Sequence, residues 1–95
     1  MMKINANPAT LERVAKELEN IAGDMDREKN RVVGVGNQVS AAWKSRFTGQ
    51  YLENVQIVGK KVQNTANSVR DVAAALRATA RRIRQLEQEL ASLQK

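Results

Sequence analysis

The sequence has no cysteine and no histidine. Disulfides, thiol nucleophiles and thiolate zinc sites are thereby excluded, as are histidine-based triads, metal cages and proton shuttles. It has one proline, Pro8, and only three aromatic residues, Trp43, Phe47 and Tyr51. So few aromatics in 95 residues leave little material to wall a substrate pocket. No enzyme is expected: no catalytic residue, metal ligand or cofactor is assigned. No apolar stretch approaches the ~20 residues that span a bilayer. The opening Met1-Met2-Lys3-Ile4-Asn5-Ala6-Asn7-Pro8 lacks an apolar h-region. A cleavable signal peptide is therefore not expected. The protein is expected to be made in the cytoplasm, and to leave the cell only by a route that reads no N-terminal signal.

What is present suffices for one small domain. Apolar residues make up 42% and charged residues 27%, a balance that permits a packed core and argues against wholesale disorder. A chain this short buries little surface, so self-association is a fair expectation. The net charge of +6 is unevenly spread. Residues 1–43 hold six Lys/Arg and six Asp/Glu; residues 44–95 hold ten and four. Arg77, Arg81, Arg82 and Arg84 form the densest basic cluster. Such charge suits an acidic partner, nucleic acid or an anionic membrane. A solvated helix face outweighs those readings. The aromatics sit at the far end of the second half, so no stacking platform interleaves with the arginines. Glu87 and Glu89 also interrupt any contiguous basic region. Nucleic acid is thus not the expected partner, and a membrane surface is less so, because the apolar seam lacks bulky anchors.

The apolar residues recur at helical spacing. Asn7-Pro8 reads as a helix start, with Asn as N-cap and Pro at the first helical position. Leu11, Leu18, Met25, Val32 and Val39 then keep one seven-residue seam. Val14, Ile21, Glu28, Val35 and Ala42 keep its companion. Gly34 and Gly36 weaken this helix; they either bend it or let another backbone approach closely. The second half repeats the pattern with Val55, Val62, Val69, Leu76, Ile83 and Leu90. Its companion seam is Tyr51, Val58, Thr65, Val72, Thr79, Leu86 and Leu93.

The two registers do not match. Extending the first seam forward lands on Arg46, Gly49, Glu53, Gln56 and Lys60, all polar or glycine. The second seam is displaced by two residues, roughly 200° around a helix. Neither a stutter nor a stammer alone gives that shift. A helix end near Trp43 with a new start just after it is favoured over one long bent helix. Ser45 or Thr48 can cap the new start. The expected fold is all-α, a single antiparallel helical hairpin over residues 1–95: helix 8–42, turn 43–46, helix 47–94. The hairpin is expected to dimerise into a four-helix bundle. The hairpin or dimer seam is assigned to Leu11, Leu18, Met25, Val32, Val55, Val62, Val69 and Leu76. The second helix outruns the first by roughly fourteen residues at 1.5 Å each. That overhang, with Ile83, Leu86, Leu90 and Leu93, is expected to lie beyond the reach of the first helix and to need another chain.

At the break the chain reads Ala41-Ala42-Trp43-Lys44-Ser45-Arg46-Phe47-Thr48-Gly49-Gln50-Tyr51. Trp43 and Tyr51 can pack across the corner and plug the end of a thin core. Sealing the turn is favoured over recognition of a partner. In this stretch the chain resembles the WXG100 family, the ESAT-6-like helical-hairpin substrates of type VII secretion. Trp43 stands where the family has its tryptophan, and Thr48 and Tyr51 fit its later small and aromatic positions. Ile4-Asn5-Ala6-Asn7-Pro8, with Leu11 and Ala15, is similar to the family's opening. The family glycine is Ser45 here, so the turn motif is Trp43, Ser45, Phe47 and Tyr51. Of the family's spaced C-terminal pattern, Ile83, Glu87 and Leu90 match three positions, and Gln94 misses the fourth.

The resemblance implies a small secreted or co-secreted protein acting through protein–protein contacts. Its partners would be a second copy, as a homodimer, or a related helical-hairpin protein, and a secretion ATPase. Ile83, Glu87 and Leu90 would carry export or partner recognition. The alternatives are a basic helical nucleic-acid-binding protein using Arg77, Arg81, Arg82 and Arg84, or an intracellular coiled-coil adaptor.

Overall fold

The structure, a computed structural model, describes residues 7–43 and 46–94. The Ile4-Asn5-Ala6 opening and the Ser45 turn position lie outside the described residues. Two helices, α1 (Pro8–Ala42) and α2 (Thr48–Leu93), run antiparallel in a rod of 76 × 15 × 15 Å. The described residues contain no strand.

Each boundary has a local cause. The Asn7 side chain accepts hydrogen bonds from the Ala9 N–H at 2.9 Å and the Thr10 N–H at 3.4 Å. Pro8 follows in the first helical position, where its missing N–H costs nothing. At the other end the Trp43 N–H still donates to the Val39 carbonyl at 2.8 Å. Trp43 then turns extended, with φ −115° and ψ 101°, and the helix ends. The Thr48 hydroxyl donates back to the Trp43 carbonyl at 2.6 Å, tying the new helix to the old one.

The centre of the hairpin is made of small residues. Ala15, Ala22 and Gly36 are buried on α1; Gly59, Ala66, Ala73 and Ala80 are buried on α2. Within each helix these positions are seven residues apart or a multiple of seven, so they form one stripe. Small side chains let the two backbones approach closely. A β-carbon added at Gly36 would stand 2.9 Å from a Val55 methyl, and one at Gly59 would stand 3.2 Å from a Val33 methyl. Gly36 therefore serves close approach, whereas Gly34 faces open space.

The seam residues read from the sequence flank this stripe. Leu11, Leu18, Met25, Val55, Val62, Val69 and Leu76 are half-buried, and Val32 is exposed. The valine and leucine periodicity marked a side of the hairpin, and the alanine periodicity marked its centre. Among the described residues no large side chain is fully buried. An alanine removes only about one methyl from water, roughly 0.8 kcal/mol per carbon.

The expected overhang of fourteen residues is shortened to about nine. Gly36 on α1 packs on Val55 of α2, Val33 on Gly59, and Thr48 reaches Trp43, so Pro8 is level with about residue 84 and Ala42 with about residue 50. The helices have 35 and 46 residues, and nearly all of the surplus of eleven lies at the open end. About two residues of α2 project past α1 at the turn, and about nine, roughly 85–93, project at the open end. Ile83 is consequently buried against α1 and Leu86 is half-buried. Leu90 and Leu93 remain exposed. Length arithmetic ran the second helix from 46 to 94, whereas it spans Thr48–Leu93, and that shortens the surplus.

Candidate functional site

The stripe divides the rod into two unlike sides. On α1, Glu12, Glu19 and Asp26 lie about 50° to one side of the Ala15–Ala22 direction; Leu11, Leu18 and Met25 lie about 50° to the other. On α2, Arg70, Arg77 and Arg84 fall about 50° to one side of the Ala66–Ala73 direction, and Val62, Val69 and Leu76 to the other. In an antiparallel pair equal offsets land on the same side. One long edge is therefore ionic and the opposite edge apolar.

The ionic edge is a ladder. Arg84 pairs with Glu12 at 2.5 Å, Arg77 with Glu19 at 2.7 Å, and Arg70 with Asp26. One number rises by seven as the other falls by seven, so a single register serves all three. The middle rung is bidentate: Arg77 Nε donates to one Glu19 oxygen at 3.1 Å and Nη2 to the other at 2.7 Å. These bonds hold the Glu19 carboxyl below its ordinary range and push the Arg77 guanidinium up. The rungs remain part-exposed, so their main effect is to fix register. The acids of this ladder and Arg70 went unassigned in the sequence. The signal was available: acids recur at 12, 19 and 26, and arginines at 70, 77 and 84. The four-arginine cluster is correspondingly divided. Arg77 and Arg84 are turned against α1, and Arg81 and Arg82 are exposed.

The apolar edge carries Ile21, Val32 and Val35 from α1 and Val58 and Val72 from α2, all about half exposed. The half-buried seam residues run beside them. A row of aliphatic side chains along one face of a rod is a surface suited to another helix.

The corner holds the aromatics. Trp43 and Tyr51 meet edge to face, with ring centroids 6.1 Å apart and planes at 69°. The Arg46 guanidinium lies 4.8 Å from the centre of the Phe47 ring. Trp43 and Phe47 keep 43% and 52% of their surface exposed. The aromatics therefore seal the corner on one side and present two rings to solvent on the other. At the open end, Glu87 and Leu90 are exposed, whereas Ile83 is turned into the hairpin. Among the described residues no helix is long and apolar enough to cross a membrane.

Comparison with known proteins fits this geometry. The family model described as "Proteins of 100 residues with WXG" matches residues 3–88. A secreted protein, ESXB, from Bacillus anthracis str. Sterne has a similar structure, with a TM-score of 0.81. The match covers 92% of this chain and 99% of that one, at 22% sequence identity. At that identity the likeness concerns the fold. No curated protein matches the chain.

Proposed function

This chain belongs to the WXG100 family, and we propose on that footing that it is a secreted or co-secreted type VII substrate acting by protein–protein contact. One observation carries the reading: the exposed aliphatic row of Ile21, Val32, Val35, Val58 and Val72 along one edge. The hairpin buries no large side chain fully among the described residues, so it has a thin core and a ready apolar surface. A second hairpin laid on that edge, from another copy or from a related protein, converts two thin cores into one four-helix bundle. The exposed Glu87 and Leu90 near the open end, with Ile83 as their buried anchor, are the residues offered to a secretion ATPase. Trp43 at the opposite end offers a second contact. The nucleic-acid reading loses two of its four arginines, because Arg77 and Arg84 already answer carboxylates.

The test compares culture medium from wild-type and secretion-ATPase-null cells. The protein is expected in the medium of the first and absent from that of the second. Export that persists without the ATPase, or that never occurs, overturns the reading.

A further inference from the structure

The ionic ladder stops before the turn. Continuing its register from Glu12, Glu19 and Asp26 leads to Val33, and from Arg84, Arg77 and Arg70 to Gln63, so the next rung carries no charge. There the same side of the rod opens into a groove of about 350 Å³, lined by Lys29, Val33, Glu53, Ile57, Lys60 and Gln63 among others. Gly59 forms its floor: a Val33 methyl and Lys29 Cγ lie 3.2 and 3.6 Å from where a β-carbon of that residue would stand. The glycine thus lets the lysine stem cross toward α2. The Lys29 ammonium ends on the neutral Gln63 side chain, donating at 2.7 Å. Lys29, Lys60 and Glu53 form no ion pair among the described residues, and Ile57 is 45% exposed.

These groups are ordered along the rod. Lys29 stands beside Gln63, and Val33 beside Gly59. From the open end toward the turn the groove therefore presents Lys29, Lys60, Val33, Ile57 and Glu53, over roughly 15 Å. Two cations come first, aliphatic groups follow, and a carboxylate closes the row. An inorganic anion would answer the lysines and leave Val33 and Ile57 in water. A fatty acid with its head on the lysines would carry its tail toward Glu53. A surface that offers both signs of charge around an aliphatic centre answers all of these groups at once.

We propose that this groove docks one amphipathic helix of a protein partner whose face reads acid, acid, aliphatic, aliphatic, base. On a helix such residues fall at i, i+3, i+4, i+7 and i+11, all within one stripe. Their rises along the axis, about 0, 4.5, 6, 10.5 and 16.5 Å, follow the order and spacing of the groove. The contact is a third helix laid between two. Its carboxylates meet Lys29 and Lys60, its aliphatic residues meet Val33 and Ile57, and its base meets Glu53. The groove lies on the ionic side, opposite the apolar edge, so a helix in the groove and a hairpin on the edge do not compete. The inference rests neither on export nor on association through that edge.

The probe is a fluorescein-labelled, alanine-based peptide of about eighteen residues, long enough to form a helix, with Glu, Glu, Leu, Leu and Lys at those spacings. Its fluorescence anisotropy is titrated with the full chain. It should bind about tenfold tighter than a form with both glutamates changed to glutamine, and than a form with both leucines changed to alanine. The advantage over the glutamine form should narrow in high salt. Lys60→Glu, at an exposed position, should weaken binding of the glutamate peptide about tenfold. A peptide with lysine in place of its two glutamates should bind that variant better than it binds the wild type. Circular dichroism verifies that the variant keeps its helices. Val58→Glu with Val72→Glu, on the opposite edge, should leave the affinity unchanged. No binding, equal affinity for the three peptides, or no effect of Lys60→Glu in a helical chain overturns the proposal. Loss of binding in a helical Val58→Glu, Val72→Glu chain overturns it too, because the peptide would then sit on the apolar edge. Binding is read on the purified chain, so this proposal and the export reading fail separately.

Discussion

Glu19 and Arg77 show what one pair contributes to this rod. Two hydrogen bonds from the guanidinium depress the carboxyl. A depressed acid stabilises the fold above its unfolded value, and that stabilisation is lost as pH falls through its folded value. The window therefore lies at and below the ordinary glutamate value of 4.5. Arg77 stays charged throughout and adds no slope there. The Glu19→Gln variant should show a shallower loss of thermal stability between neutral and acid pH than the wild type. Melting followed by circular dichroism across that range checks it; parallel acid limbs would show that the pair does not couple to folding. The corner offers a second measurement at this scale. Edge-to-face rings contribute about 0.5–1.5 kcal/mol beyond their buried area. A double-mutant cycle with Trp43→Ala and Tyr51→Ala should return a coupling in that range. A coupling near zero would mean that the 6.1 Å ring pair does not hold the turn.

At the scale of the helices, the alanine stripe sets how closely α1 and α2 pack. Ala73 is 1% exposed and its neighbour Val72 is 53% exposed, so adjacent positions face opposite environments. Ala73→Leu forces extra carbons between two close backbones and should destabilise by about 1–3 kcal/mol. Ala78→Leu, at an exposed position on the outward side of α2, adds the same carbons toward solvent and should stay within about 0.5 kcal/mol. Urea titrations of both variants decide the point; equal effects would mean that the stripe is not the closest contact. The same contrast explains what could be read beforehand. The two-residue phase shift between seams located the hairpin bend, because register is a property of spacing alone. The facing direction was harder. Large aliphatic residues recur with the same period as the alanines, and hydropathy weights valine above alanine. Packing of two lone helices favours the smaller set, since closer backbones gain more dispersion contact along their length. The ladder was missed for a related reason. Its acids and arginines are 44 to 72 residues apart, and pairing them requires the register that the turn sets.

The whole molecule is a rod 76 Å long and 15 Å wide whose buried positions are almost all alanine or glycine. Such a hairpin removes little apolar surface from water by itself, while its aliphatic edge stays in contact with solvent. The proposed association through that edge would supply the missing burial and make stability depend on protein concentration. Wild-type melting temperature should therefore rise with concentration, and light scattering coupled to gel filtration should give a mass above that of one chain. Placing carboxylates on the edge with Val58→Glu and Val72→Glu should lower the mass toward 10.6 kDa, one chain, and flatten the concentration dependence. Buried without partners, those charges would cost more than the contact returns. Arg82→Ala, on the outward side of α2, should leave both measurements unchanged. A wild-type mass of one chain at every concentration would remove the apolar edge as an interface between copies, and would direct the search to a different hairpin as its occupant.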